Sequence, residues 1–355
     1  MAKYLLMENS SVQIVIAGRN TQKAAATCEK LKTETNTDRV SHSHLDASDL
    51  NSLRENFQKV DFVVVASPTI IYTRNVAETA LEVGIDYLDV QLSTRHKLDI
   101  LDELEPKMKE KGRIFITDGG FHPGIVSTII RYAAMQMDEI HNADVYSSIK
   151  LDWASYNFSD ASSIELVEEL KDMNPTALVD GKWVKIGFSK PRKFDFGGAV
   201  GVENCVPMFL TELRQLPEFF PALKNTGFFV GGFNPVTYYF VMPLAMIAIS
   251  MFPKSAGKPM GKLFEWSVKK YSRPPFQTQI ILKAEGIRDG VPASARVKIV
   301  HEDGYVLTAV PTVACLLQYL DGKITQPGLH YHANVMEPVR AFADMKRMGI
   351  GIETS

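Results

Sequence analysis

From Ser11 to about Gly120, short apolar runs alternate with amphipathic stretches, and this alternation constrains the fold more than any other feature of the chain. Val12–Ile16, Arg39–Leu45, Asp61–Ala66, Tyr87–Val90 and Arg113–Thr117 read as strands. Thr21–Lys32, Arg74–Val83 and Leu98–Lys111 read as helices, and a fourth starts at Leu50 with Ser48 or Asp49 as its N-cap. Gly84 and Gly112 are the stops. Asp61–Ala66 is continuously apolar and is expected to be buried on both faces. Strands that alternate with helices need right-handed crossovers and so build a parallel sheet. Val12–Ile16, Phe62–Ala66 and Ile114–Thr117 are therefore expected side by side in one sheet.

The series starts in its middle. Ser11–Asn20 has the character of a second strand running into its loop, and Ala2–Glu8 that of the end of the preceding helix. No G-x-G-x-x-G occurs in the chain, although such a turn normally holds a pyrophosphate. The expected fold is α/β, a Rossmann-type parallel sheet whose first strand and glycine loop are missing, followed by a second α+β domain. The missing piece amounts to about 15–20 residues for elements of ordinary length.

After Pro123-Gly124 the texture changes. Ile125–Met137 and Ser162–Met173 read as helices, Asp144–Leu151 as a strand, and Pro175–Pro235 as Gly- and Pro-rich connections. Gln277–Glu285 and Ala293–Val300 are strands flanking the turn Arg288-Asp289-Gly290, with Tyr305–Thr308 pairing beside them and Pro311–Leu320 a helix. The expected domains are 1–125, 126–335, and a segment 336–355 that can return to the first. A length of 355 residues agrees with roughly two domains at ~150 residues each.

A net charge of -2 gives no bulk field for nucleic acid. The three cysteines, Cys28, Cys205 and Cys315, are far apart and fit a reducing compartment. With no signal region at the start, a cytoplasmic protein is expected. Phe240–Phe252 is apolar almost all round, yet shorter than the ~20 residues of a spanning helix. It reads as a buried helix, a subunit interface being one place for it, and a homodimer is expected. The alternative is contact of 240–273 with a membrane surface, with Lys254, Lys258, Lys262, Lys269, Lys270 and Arg273 on lipid phosphate.

Ligands of open parallel sheets bind outside the carboxyl ends of the strands. Here those ends supply Gly18, Arg19, Asn20, Asp46, Ala47, Ala66, Ser67, Pro68, Thr69 and Gln91, the expected cofactor-binding set. After the second strand, an acid would hold a ribose 2′-hydroxyl, whereas an arginine accommodates a 2′-phosphate. Arg19 occupies that place, and guanidinium forks match phosphate geometry, so NADP is expected ahead of NAD. A solvated arginine is the plain alternative. Asp46 suits an adenine amino group or a turn cap equally. Ser67-Pro68-Thr69 suits the edge of a nicotinamide ring, or merely ends a strand. His122 stands in a Gly- and Pro-rich turn between the expected domains. It suits acid–base work on a small-molecule substrate, or no task at all. Asp118 is the second catalytic candidate.

Gly197–Gly201 imitates part of a glycine fingerprint but reads as a loop. His42/His44 and His330/His332 would each share a strand face. Only Asp46 stands near either pair as a further ligand, so no metal is expected.

The ordered set Val15–Asn20, Leu45–Asp49, Asp61–Pro68 and Gly120-Phe121-His122-Pro123-Gly124 resembles saccharopine dehydrogenase-like oxidoreductases, in which the last element is often G-x-x-P-G-x. His301–Tyr305, Leu320–Gly322 and Pro327–Leu329 fit as well. The resemblance is good over about 1–130, looser over 275–350 and poor between. It implies an NAD(P)-binding domain, a substrate domain, and hydride transfer at a carbon–nitrogen bond of an amino-acid adduct. His122 stands where saccharopine-forming members tend to carry an acid, which argues against saccharopine itself. An N-terminally truncated oxidoreductase is thus one reading. The other is a catalytically silent relative acting as an interaction or membrane-peripheral protein.

Overall fold

The computed structural model describes residues 1–156, 173–188, 191–252 and 255–355. The helix expected over Ser162–Met173 falls almost wholly on 157–172, outside the described residues. The chain divides into two compact units. One comprises Met1–Gln91, Arg95–Gly120 and Ala309–Met348; the other comprises Leu92–Thr94, Phe121–Thr308 and Gly349–Ser355.

The first unit opens with α1 (Ala2–Glu8), β1 (Ile14–Gly18), α2 (Thr21–Thr35), β2 (Val40–His44) and α3 (Leu50–Phe57). It continues with β3 (Phe62–Val65), α4 (Thr73–Val83), β4 (Asp86–Asp89), α5 (Arg95–Glu110) and β5 (Ile114–Thr117). The caps are local. The Asn20 side chain accepts from the Lys23 amide and that of Asp49 from Asn51, while Gly84 closes α4 at φ 87°.

All pairings among these strands are parallel, but they do not form the single sheet expected. β1 pairs with β2 in a two-stranded sheet, while β3, β4, β5 and a later strand at Gly328–Tyr331 form another. The doubly wound order places a strand between the second and fourth strands of the series. Among the described residues no strand stands there, and β1 and β3 each have a hydrogen-bonded neighbour on one side only. The apolar core divides in the same way. Leu6, Cys28, Leu31 and Val40 form one cluster. Leu53, Ala77, Tyr87, Leu101 and Phe115 belong to another. The expected burial of β3 on both faces also fails: only Val65 is buried, and Val64 is 36% exposed. β4 and β5, by contrast, are buried at every position.

The second unit begins with α6 (Val126–Ala134) and β6 (Glu139–Lys150). The span Pro175–Pro235, expected as connections, contains β7 (Thr176–Val179), β8 (Lys182–Lys185), β9 (Arg192–Asp195), β10 (Val202–Pro207) and β11 (Asn225–Gly231). β7, β8 and β9 are only four residues long, and β8 and β9 mix lysine and arginine with apolar residues, which hides their period. β12 (Gln277–Arg288) and β13 (Val291–His301) form a hairpin whose turn residues Asp289 and Gly290 have φ 52° and 73°. The sheet runs β15-β13-β12-β6-β11-β10-β9, with β14 being the Gly328–Tyr331 strand and β15 covering Gly351–Thr354. β11 lies parallel to β6.

Tyr305–Thr308 is not a strand. It begins the helix Gly304–Leu320, because the Asp303 carboxylate accepts from the Tyr305 amide and caps it. Within the single chain, the apolar segment is buried along one side only. In the helix Met242–Met251, Ala245 and Ile249 are buried, but Leu244 and Ile247 are exposed, as are the flanking Phe240 and Phe252. Among the described residues no helix is long and apolar enough to cross a membrane.

Candidate active site

In the first unit the strand ends expected to bind a cofactor fall into two groups. Arg19 and Asn20 stand at the end of β1. Arg19 is exposed, and with Asn20, Thr21 and Gln22 it lines a wide, open depression. Asp46 follows β2. Its carboxylate accepts from the Ser48 amide at 2.9 Å and the Ser48 hydroxyl at 2.7 Å. These bonds, and more weakly the charge of Arg19, hold it below the usual carboxylate range. The turn-cap role of Asp46 is therefore visible. Ala47 is buried against the α3–α4 core, and a Cβ on Gly18 would meet nothing within 4 Å.

The second group joins the loops after β3 and β4. Ala66, Ser67 and Pro68 are exposed, and Thr69 is half-buried. Gln91 Nε2 donates to the Ser67 carbonyl at 3.0 Å and to Thr69 Oγ1 at 3.1 Å. The Gln91 amide donates to Asp89 Oδ1 at 3.2 Å. Gln91 thus stitches the Ser67–Thr69 turn to the end of β4.

Beneath that stitch lies a cluster that the sequence reading missed. Lys97, at 0% exposure, donates to Asp89 Oδ1 and Asp118 Oδ1, both at 2.7 Å, and to the Gln91 carbonyl at 3.1 Å. Asp89 Oδ2 accepts from Thr117 Oγ1 at 2.7 Å and from the Tyr87 hydroxyl at 3.1 Å. Burial works against the Lys97 charge, but Asp118 and Asp89 outweigh it and raise its affinity for the proton. Burial and Asp89 together push the Tyr87 hydroxyl far upward. The cluster therefore stays ionic, with Tyr87 protonated. Asp118 has φ 60°, and Gly119 follows where a Cβ would lie 2.9 Å from the Asp89 carbonyl oxygen. Only glycine fits so close to β4. The available signal was an acid closing each of two neighbouring apolar strands, since buried carboxylates need a cation. Lys97 escaped because it sits in the charged run Arg95-His96-Lys97 and reads as solvated.

His122 belongs to the second unit. Its ring packs on Phe121 at 3.9 Å and Phe228 at 5.3 Å between centroids. Nε2 is buried without a hydrogen-bond partner among the described residues, and burial lowers the imidazole to about 4. His122 is therefore neutral at physiological pH. The turn ends at Gly124, where buried Glu212 accepts from the amides of Gly124 at 2.6 Å and Ser127 at 3.0 Å, capping α6. Among the described residues no group of three His, Cys, Asp or Glu side chains is arranged to hold a metal ion.

Residues 1–116 match the family model described as the saccharopine dehydrogenase NADP binding domain. The chain is 25% identical over 378 aligned positions to carboxynorspermidine synthase of Vibrio cholerae, covering 95% of this chain and 89% of that protein. Its fold is similar to that of apo saccharopine dehydrogenase (L-Glu forming) from Saccharomyces cerevisiae, with TM-score 0.66 and 13% identity, covering 100% and 98% of the two chains. The amino-terminal 116 residues thus match an NADP-binding domain of the saccharopine dehydrogenase type, and the chain as a whole shares the fold of saccharopine dehydrogenase.

Proposed function

We propose that this protein uses NADP(H) to transfer hydride at the carbon–nitrogen bond of a small amino-acid-derived substrate. The observation that carries the proposal is Arg19, an exposed guanidinium at the end of β1 where an acid would select NAD. The residues present fit the adenosine end of the cofactor. Arg19 would meet the 2′-phosphate, Asp46 and Ala47 the adenine, and the Gln91-tied Ser67–Thr69 turn the nicotinamide side. No glycine-rich turn of G-x-G-x-x-G spacing accompanies them. When bound, the cofactor supplies or accepts the hydride.

The protein supplies orientation and a proton path. Lys97 fixes the Asp118 carboxylate and so positions the chain entering Gly119-Gly120. His122, held neutral by burial and with Nε2 unpartnered among the described residues, would serve as a proton acceptor or hydrogen-bond partner and not as a standing acid. Substrate class is supported by the Vibrio relative, whose name denotes a compound bearing both a carboxyl group and amines.

NADPH fluorescence titration tests the reading. NADPH is expected to bind more tightly than NADH, and Arg19→Ala to weaken NADPH about tenfold while sparing NADH, the loss of one charge-assisted phosphate contact. Equal affinities for the two in the unsubstituted protein would refute it.

A second reading has its own observation. Phe240 is 71% exposed, Ile247 58% and Met251 65%, with Lys258, Lys262 and Lys270 exposed just beyond. This surface would bind anionic lipid. Sedimentation with phosphatidylglycerol vesicles is then expected, and Ile247→Glu should abolish it; no sedimentation of the unsubstituted protein removes this reading.

A further inference from the structure

The second unit holds a cavity of ≈ 380 Å³ that the cofactor reading leaves unused. It lies where β6 and β11 end and the helix Gly257–Tyr271 stops. Its volume is in the range of ligand sites. Lys150, Glu203, Asn204, Tyr238, Tyr239 and Arg273 bring polar groups to its wall, and Phe233 and Phe276 bring apolar ones.

The floor depends on two glycines at the end of β11. A Cβ on Gly231 would stand 2.8 Å from the Asn204 carbonyl oxygen, and one on Gly232 would stand 2.4 Å from the Ile149 amide nitrogen. The three backbones can therefore close together beneath the cavity only with glycine at these positions.

The charges do not cancel. Lys150 Nζ meets the Glu203 carboxylate at 2.8 Å and is neutralised by it. Arg273 has no carboxylate partner among the described residues. Its Nη1 donates to the carbonyl oxygens of Lys270 and Ser272, each at 2.8 Å. Those two bonds aim the fork without removing its charge. The Tyr238 hydroxyl is buried and has no hydrogen-bond partner among the described residues. Burial, with Tyr239 and Cys205 nearby, pushes it up to about 12, so it remains a donor at any physiological pH. Asn204 Nδ2 donates to the Tyr239 hydroxyl oxygen at 2.9 Å, leaving that hydroxyl's own proton to give. The cavity thus offers one unbalanced cation, two phenolic donors and apolar walls. That combination calls for an anion with paired acceptor oxygens, and a carboxylate matches the guanidinium edge.

We infer that this cavity binds the carboxylate end of a small amino-acid-derived ligand, gripped by Arg273 and the Tyr238 hydroxyl. That the ligand is the substrate rests on the function proposed above; the binding itself does not.

Calorimetric titration of the full chain without cofactor tests the inference, with glutarate as probe against glutaramide and inorganic phosphate. Glutarate should bind about tenfold more tightly than glutaramide, which has the same size and no charge. Arg273→Gln, at an exposed position whose replacement spares the fold, should weaken glutarate about tenfold, and Tyr238→Phe about threefold. Three results would overturn the assignment: no glutarate binding, equal binding of glutaramide, or affinity untouched by Arg273→Gln. Phosphate matching glutarate, with the same dependence on Arg273, would replace the carboxylate site by a general oxyanion site. NADPH titration is run separately; its failure would strike the cofactor reading and leave the glutarate result standing.

Discussion

The two sheets of the first unit handle charge in opposite ways. In β4 and β5 every residue is buried, and the acids that close the strands, Asp89 and Asp118, are answered by a lysine sealed inside with them. In β1 and β2 burial alternates or is lost, and the charges at the strand ends, Arg19 and Asp46, face outward. The buried pair of strands keeps its ions for itself, holding loops in place. The open pair presents its ions to whatever arrives. A strand end that looks the same in sequence can therefore anchor or bind, and coverage by the surrounding layers decides which.

The sharpest way to break this contrast is to remove the buried cation. Lys97→Met leaves two carboxylates without compensation and is expected to cost about 3–5 kcal/mol in urea denaturation. The matching loss on the open side, Arg19→Ala, should leave the urea midpoint within about 0.5 kcal/mol. Similar losses at the two sites would show that the difference in coverage carries no energetic weight.

His122 gives a smaller effect with a defined sign. Its folded value of about 4 lies below the ordinary ~6.5, so between these values the unfolded chain binds the proton and the folded chain does not. Its contribution is complete above pH 6.5 and is lost as pH falls toward 4. Urea midpoints measured across that window should decline, and His122→Gln should flatten part of the decline. A decline unchanged in the variant would assign it to other groups.

The least effect is expected on the outer face of β1. Val15 is 40% exposed, and Val15→Thr should change stability by less than about 0.5 kcal/mol. A larger loss would mean that this face is covered in solution, which would erase much of the contrast with β4 and β5.

What the sequence disclosed follows the same division. The helix cap at Asp49 and the stop at Gly84 were legible because their causes lie within three or four residues. The apolar runs of β4 and β5 were legible because full burial leaves little choice of residue. The Lys97 cluster was not, since its carboxylates lie 8 and 21 residues away and only the paired strands bring them together. Tyr305–Thr308 misled for a related reason: its residues suit a strand, but the Asp303 cap and the apolar run to Leu320 commit it to helix. The strands β7 to β10 hid behind mixed composition, because edge and short strands need not keep a clean alternation. For the site, the strand-end residues were visible as candidates, whereas the Gln91 stitch and the cavity beside Tyr238 arise only from tertiary contact.

Lys97 has one more use, as a reporter. Reagents that acylate primary amines will mark the surface lysines within moments of mixing. An ε-amino group enclosed at 0% exposure waits until the layer around it comes apart. The rate at which a tryptic peptide carrying that position gains mass would therefore time the opening of the first unit's interior, with no dye, tag or engineered cysteine.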